Sequence, residues 1–122
     1  MPTIDADAGL VTHINTFSVS PGKQQALIDS LTETVNAARS MPGWVSASIH
    51  RSYDGRTVVN YVQFESHEAA QEVNRRLLAL GLIQKNTRIA SVVPAQFEVA
   101  YTVSRVRDDE SMDLSPSAKP SS

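Results

Sequence analysis

Two asparagines stand where asparagine is uncommon. Asn15 lies inside Leu10–Val19 and Asn60 inside Thr57–Glu65, both stretches that read as β-strands. Asparagine is depleted from strands, and burying an amide without hydrogen-bond partners costs about 1–3 kcal/mol. Period two puts Asn15 on the face of Val11 and Phe17, and Asn60 on the face of Val58, Val62 and Phe64. If both faces turn toward the helices, two neutral hydrogen-bonding groups point into an apolar cavity beside an aromatic ring. The alternative is that each amide satisfies a backbone group at a bulge or strand end. His13 shares the face of Asn15 and is either a base for that cavity or a packed or rim histidine. His50 falls on the opposite phase from Val45, Ala47 and Ile49, and His67 falls in the first turn of a helix, so both are expected at solvent or an interface. Trp44 reads as a core plug or dimer contact, and Arg75-Arg76 as a solvated helix face. The motifs of other chemistries are missing: no Gly-rich phosphate loop, no Gly-x-Ser-x-Gly, no His-Glu-x-x-His and no calcium loop.

Composition narrows the partners. The absence of cysteine excludes thiol catalysis, disulfides and Cys-ligated metal sites, and three histidines leave little for a His-rich one. The formal charge of −2 belongs to the end of the chain. Residues 107–122 hold two basic and four acidic side chains, which leaves nine of each in residues 1–106. A neutral body without a basic stripe argues against nucleic acid and anionic membrane, and suits a neutral or weakly acidic small molecule. No apolar run approaches the roughly 20 residues of a membrane helix, and the first residues show no secretory signal, so a cytoplasmic location is expected.

At 122 residues there is room for one domain. Residues 1–9 and the charged, Ser- and Pro-rich 106–122 are expected to be disordered, with a single domain over 10–105. After the first strand, Ser20 is predicted to cap a helix with Pro21 in its first turn, and Leu27, Leu31, Val35 and Ala38 form its apolar stripe. That helix ends by Met41-Pro42-Gly43. Trp44–Ser52 and Thr57–Glu65 form a hairpin about Tyr53-Asp54-Gly55. Ser66 caps a second helix with Ala69 or Ala70, Val73, Leu77 and Leu80 inward, and Gly81 breaks it. A loop and a short helix near Gln84–Ile89 lead past Pro94 to a last strand, Gln96–Arg105. The order β-α-β-β-α-β predicts an α+β, ferredoxin-like sandwich with both helices on one face of an antiparallel sheet. Ile14, Val59 and Tyr61 make the other sheet face partly apolar, which predicts a homodimer with the sheets packed together.

These residues resemble the antibiotic biosynthesis monooxygenases, dimeric α+β-barrel proteins of ferredoxin-like class. The resemblance runs from about Leu10 to Val103. It is carried by Asn15, Ser20-Pro21-Gly22-Lys23, Met41-Pro42-Gly43-Trp44, Ser46–Ser52, Asp54-Gly55 and, most specifically, Val58–Ser66. The branch most similar oxidises aromatic polyketide intermediates, and the resemblance implies oxygenation without flavin, haem or metal. A phenolic, anthrone-like or naphthacenone-like substrate would lose a proton, pass an electron to O₂, take up oxygen at a ring carbon and lose water to give a quinone. In that scheme Asn15 and Asn60 would hold the ring oxygens as charge develops there, and Phe64 would stack on the rings. His13 and Phe17 would line the substrate site, and Lys85 or Arg88 would stand at its mouth to orient a carboxylate or phenolate. The branch usually carries Trp at the position of Phe64, and some members carry Tyr at that of Ala70. Phenylalanine offers no N–H, so no hydrogen bond comes from position 64.

Three other functions share the fold. A haem-degrading monooxygenase would also carry Asn15, but its ligating histidine on the second helix is missing, where Asn74-Arg75-Arg76 stands. A non-catalytic ligand-binding or accessory dimer needs only the cavity. A polyketide isomerase or cyclase would stabilise the same enolate.

Overall fold

The computed structural model describes residues 9–106; the expectations for the two ends, 1–9 and 106–122, fall almost wholly outside them. The chain runs β1 (Val11–Ser18), α1 (Gln24–Ala38), β2 (Trp44–Arg51), β3 (Thr57–Phe64), α2 (His67–Ala79), α3 (Leu82–Ile89) and β4 (Ser91–Glu98). The four strands make one antiparallel sheet in the order β2-β3-β1-β4. This is the predicted ferredoxin-like α+β sandwich.

Why these segments fold this way is clearest in β1 and β3. Val11 and Phe17 in the first, and Val58, Val62 and Phe64 in the second, are buried on the face that α1 and α2 cover, with Val19 just past the end of β1. The apolar core is divided. One cluster gathers Phe17, Val19, Leu27, Leu31, Val58 and Ala90. The other gathers Ala38, Val62, Phe64, Ala70, Val73 and Leu77. Asn60 falls between Val58 of the first and Val62 of the second, so the polar interruption of the strand is also the gap in the core.

The structure corrects three expectations about the elements. Ser20 does not cap α1. Its carbonyl accepts from the Lys23 N–H at 3.0 Å, with Pro21 and Gly22 (φ 82°) between, and the helix starts at Gln24. Proline followed by a glycine at positive φ suits a type II turn, so the turn claims the residues that could have capped. Leu80 is 61% exposed, because α2 ends at Ala79 and only Ala70, Val73 and Leu77 face inward. Ser66 does cap α2, its Oγ accepting from the Ala69 N–H at 3.0 Å.

The last strand begins at Ser91, five residues earlier than predicted, and Pro94 lies within it. Proline is tolerated there because β4 is an edge strand bonded only to β1, so its other side has no ladder bond to lose. Residues 99–106 have no regular structure, and Tyr101, Val103 and Val106 are exposed.

Gly43 fixes where β2 enters. It has φ 85°, and a Cβ at this position would overlap that of Ala69 on α2. Its carbonyl accepts from the Glu65 N–H at 2.8 Å, which ties the start of β2 to the end of β3. Immediately after it the β2–β3 ladder slips: Trp44 pairs with Phe64, but Ser46 pairs with Gln63. The extra residue is a β-bulge, and it reverses the phase of Trp44 relative to Ala47 and Ile49.

Candidate active site

A cavity of about 540 Å³ lies between the sheet and the helices, inside the range of about 300–1,000 Å³ usual for small-molecule sites. Its floor comes from strands. Asn15 and Asn60 are directly opposite each other across the β1–β3 ladder, a pairing that holds Cβ atoms about 5 Å apart. Phe17 lies one pleat along β1 on one side of Asn15, and His13 one pleat along on the other. Phe64 meets the His13 ring edge to face, with centroids 5.0 Å apart and planes at 62°. All five residues line the cavity.

Two buried atoms have no hydrogen-bond partner among the described residues: Nε2 of His13 and Oδ1 of Asn60. Both belong to cavity-lining side chains. Leaving such a group unpaired costs about 1–3 kcal/mol, and a ligand that bonds to it recovers that cost. Burial holds the His13 imidazole below its ordinary pKa, and the neighbouring His67 lowers it further. It is therefore neutral at pH 7, with a ring nitrogen able to accept a proton from a bound molecule.

The remaining sequence-predicted positions separate clearly. Arg88, in the last turn of α3, is exposed and does not line the cavity. Lys85 does not line it either and pairs with Glu33 of α1. An eight-residue helix can turn one side inward, and α3 turns Asn86 there, leaving the cationic residues outside. His50 is exposed and bonds to Ser48 Oγ at 2.9 Å, and His67 is exposed at the start of α2, as expected. Arg75 and Arg76 both pair with Glu72 on the solvent side of α2.

Among the lining residues that the sequence did not point to, Trp44 and Asn86 shape the site most. Trp44 reaches the cavity only through the bulge, which no periodicity reports. Asn86 is buried to 4% exposure on α3, with Ser30 Oγ donating to its Oδ1 at 2.6 Å and its Nδ2 donating to Thr34 Oγ1 at 2.9 Å. The signal that could have found it is a polar residue in the middle of a short helix, although polar residues there are usually solvated. Among the described residues no group of three or more His, Asp or Glu side chains is placed to hold a metal ion. No helix among them is long and apolar enough to cross a membrane.

The sequence pattern of the family described as antibiotic biosynthesis monooxygenase matches residues 10–76, more than half of the chain and the part that contains Asn15, Asn60 and Phe64. The chain belongs to that family. A curated member of similar sequence is the tetracenomycin-F1 monooxygenase of Streptomyces glaucescens, 48% identical over 67 residues. That match takes in 54% of this chain and 60% of the relative, so the chain spans under two thirds of the relative's length.

Two solved structures share the fold. The ActVA-Orf6 monooxygenase of Streptomyces coelicolor, in complex with nanaomycin D, superposes with a TM-score of 0.73 at 23% identity, over 84% of this chain and all of that one. SnoaB, a cofactor-independent oxygenase from Streptomyces nogalater, superposes with a TM-score of 0.72 at 18% identity, over 80% of this chain and 99% of that one. The family resemblance of the strand residues and the ferredoxin-like order are thus both borne out.

Proposed function

We propose that this protein is a cofactor-independent monooxygenase that oxidises an aromatic polyketide intermediate, anthrone-like or naphthacenone-like, to a quinone with O₂. The observation that carries the reading is the cavity itself. It is largely apolar, and the carboxamides of Asn15 and Asn60 face each other across its sheet floor with the unpartnered Nε2 of His13 beside them. Similarity to the tetracenomycin-F1 monooxygenase, 48% identity over 67 residues, supports it.

Each side chain then has one task. The polycycle lies against Phe64 and Phe17, and the carboxamides of Asn15 and Asn60 meet its oxygen. His13 Nε2 removes a proton from the ring carbon para to that oxygen or from its hydroxyl tautomer, and the electron pair left behind becomes an enolate. The amide N–H groups stabilise the enolate oxygen more strongly than the neutral carbonyl. The enolate passes one electron to O₂, and the resulting radical and superoxide combine into a C–O bond. The hydroperoxide oxygen takes the proton back from His13. Loss of the remaining C–H proton and of hydroxide, together one water, leaves the carbonyl of the quinone. The substrate is oxidised and O₂ is reduced, one atom going to product and one to water. No external electron donor enters the balance.

The test is anthrone added to metal-stripped protein, with oxygen uptake and quinone absorbance followed together. Uptake and absorbance rising in step, well above buffer, is the expected result. No acceleration over buffer would remove this substrate class, and turnover persisting under argon would make the protein an isomerase or cyclase.

We also infer that the protein acts as a homodimer joined through the sheet face opposite the helices. Ile14, Val59 and Tyr61 lie half-buried on that face, beside Val93 at 70% and Phe97 at 49% exposure. An apolar patch of this kind on so small a domain favours a partner. Sedimentation at micromolar concentration should give twice the 13.3 kDa chain mass; a mass of one chain overturns the inference.

A further inference from the structure

Asn86 is the one buried residue of α3, and its neighbours determine which way its carboxamide points. The Thr34 hydroxyl donates to the backbone carbonyl of Ser30 at 3.1 Å. Its oxygen is therefore left to accept, and the Asn86 atom facing it at 2.9 Å is Nδ2. Oδ1 then faces Ser30, whose hydroxyl donates to it at 2.6 Å. A carboxamide has two N–H donors, and Thr34 uses one. Asn86 lines the cavity, so the second N–H has the cavity as its outlet. Two side-chain bonds hold the group in place, and little rotational freedom is lost when a ligand meets it.

The position matters as much as the orientation. Asn15 and Asn60 belong to the sheet floor, whereas Asn86 belongs to the helix layer that roofs the same cavity. No Lys, Arg, Asp or Glu lines that cavity among the described residues. We propose that Asn86 is a second oxygen anchor facing the sheet-side pair, so that the site selects a flat, uncharged molecule with oxygens on two opposite edges. One edge is held by Asn15 and Asn60, the other by Asn86. A carboxylate would find no cation in this cavity. The inference rests on the polycycle reading above and adds to it the placement of the oxygens.

Trp44 makes the test direct, because it is the single tryptophan of the chain and it lines the cavity. Quenching of its fluorescence, measured without oxygen, reports occupancy by two probes. Anthrone carries one carbonyl, and 9,10-anthraquinone carries two on opposite edges. The wild type should bind anthraquinone about tenfold more tightly than anthrone, the worth of one additional hydrogen bond in a desolvated site. In Asn86→Leu, close in volume, that preference should fall to about one while both probes still bind. If the leucine variant does not fold, Asn86→Asp at pH 8 keeps the acceptor for Ser30, obliges the Thr34 hydroxyl to turn from the Ser30 carbonyl, lacks any N–H, and should lose the same preference. An unchanged ratio in a folded variant, or no quenching by either probe, overturns the anchor. Oxygen uptake with an unchanged ratio would remove the anchor alone, and a collapsed ratio without oxygen uptake would remove the oxygenase reading alone.

Discussion

Replacing Asn60 by alanine should lower kcat for quinone formation about 10²–10³-fold, the usual worth of a hydrogen-bond group aimed at developing negative charge. KM should move far less, because the oxygen becomes strongly basic only as the proton leaves. Stability should move the other way. Asn60 Oδ1 is buried without a partner in the folded chain, so its removal relieves a desolvation cost and the melting temperature should hold or rise. A structural asparagine would behave oppositely, with a lower melting temperature and turnover intact. Measuring kcat and melting temperature on the same preparation separates the two roles by sign.

His13→Gln should lower kcat about 10²–10⁴-fold, the range for loss of a general base, and should also change the shape of the pH profile. In the wild type, turnover should rise with pH through a value below the ordinary histidine pKa of 6.5 and then level, since the neutral imidazole is the active form. The glutamine variant should lack that limb. The same shift has a consequence for folding. Because the folded-state pKa is lowered, the unfolded chain binds more protons between the two values, and stability rises with pH across that window. The contribution is complete above about 6.5 and is lost as pH falls through the folded-state pKa. The melting temperature of the wild type should therefore drop between pH 7 and pH 5 more than that of the variant. Parallel profiles would leave His13 as packing for Phe64.

Much of the site is readable from phase alone. A strand repeats every two residues by covalent geometry, so over the eight residues of β1 and of β3 the facing of His13, Asn15, Phe17, Asn60 and Phe64 follows from Val11 and Val58 without knowledge of the rest. The hairpin about Asp54-Gly55 and the Ser66 cap of α2 are equally local. Where prediction failed, the same residues supported two readings. Ser20 can cap a helix or open a turn, and Gly22 at positive φ favours the turn. Pro94 marks a boundary in a central strand but not in an edge strand, and whether β4 lies at the edge depends on the sheet order.

The sequence by itself therefore determined the order of elements, the family pattern over residues 10–76 and which side chains of β1 and β3 share a face. These depend on backbone periodicity and on side chains a few residues apart. Only the tertiary structure decided that Asn15 and Asn60 sit opposite one another, that a bulge swings Trp44 into the cavity, and that α3 presents Asn86 while Arg88 stays in solvent. Each of those is a relation between segments tens of residues apart. Register, bulge and helix rotation are set by how whole faces pack, and no single stretch of chain contains that information.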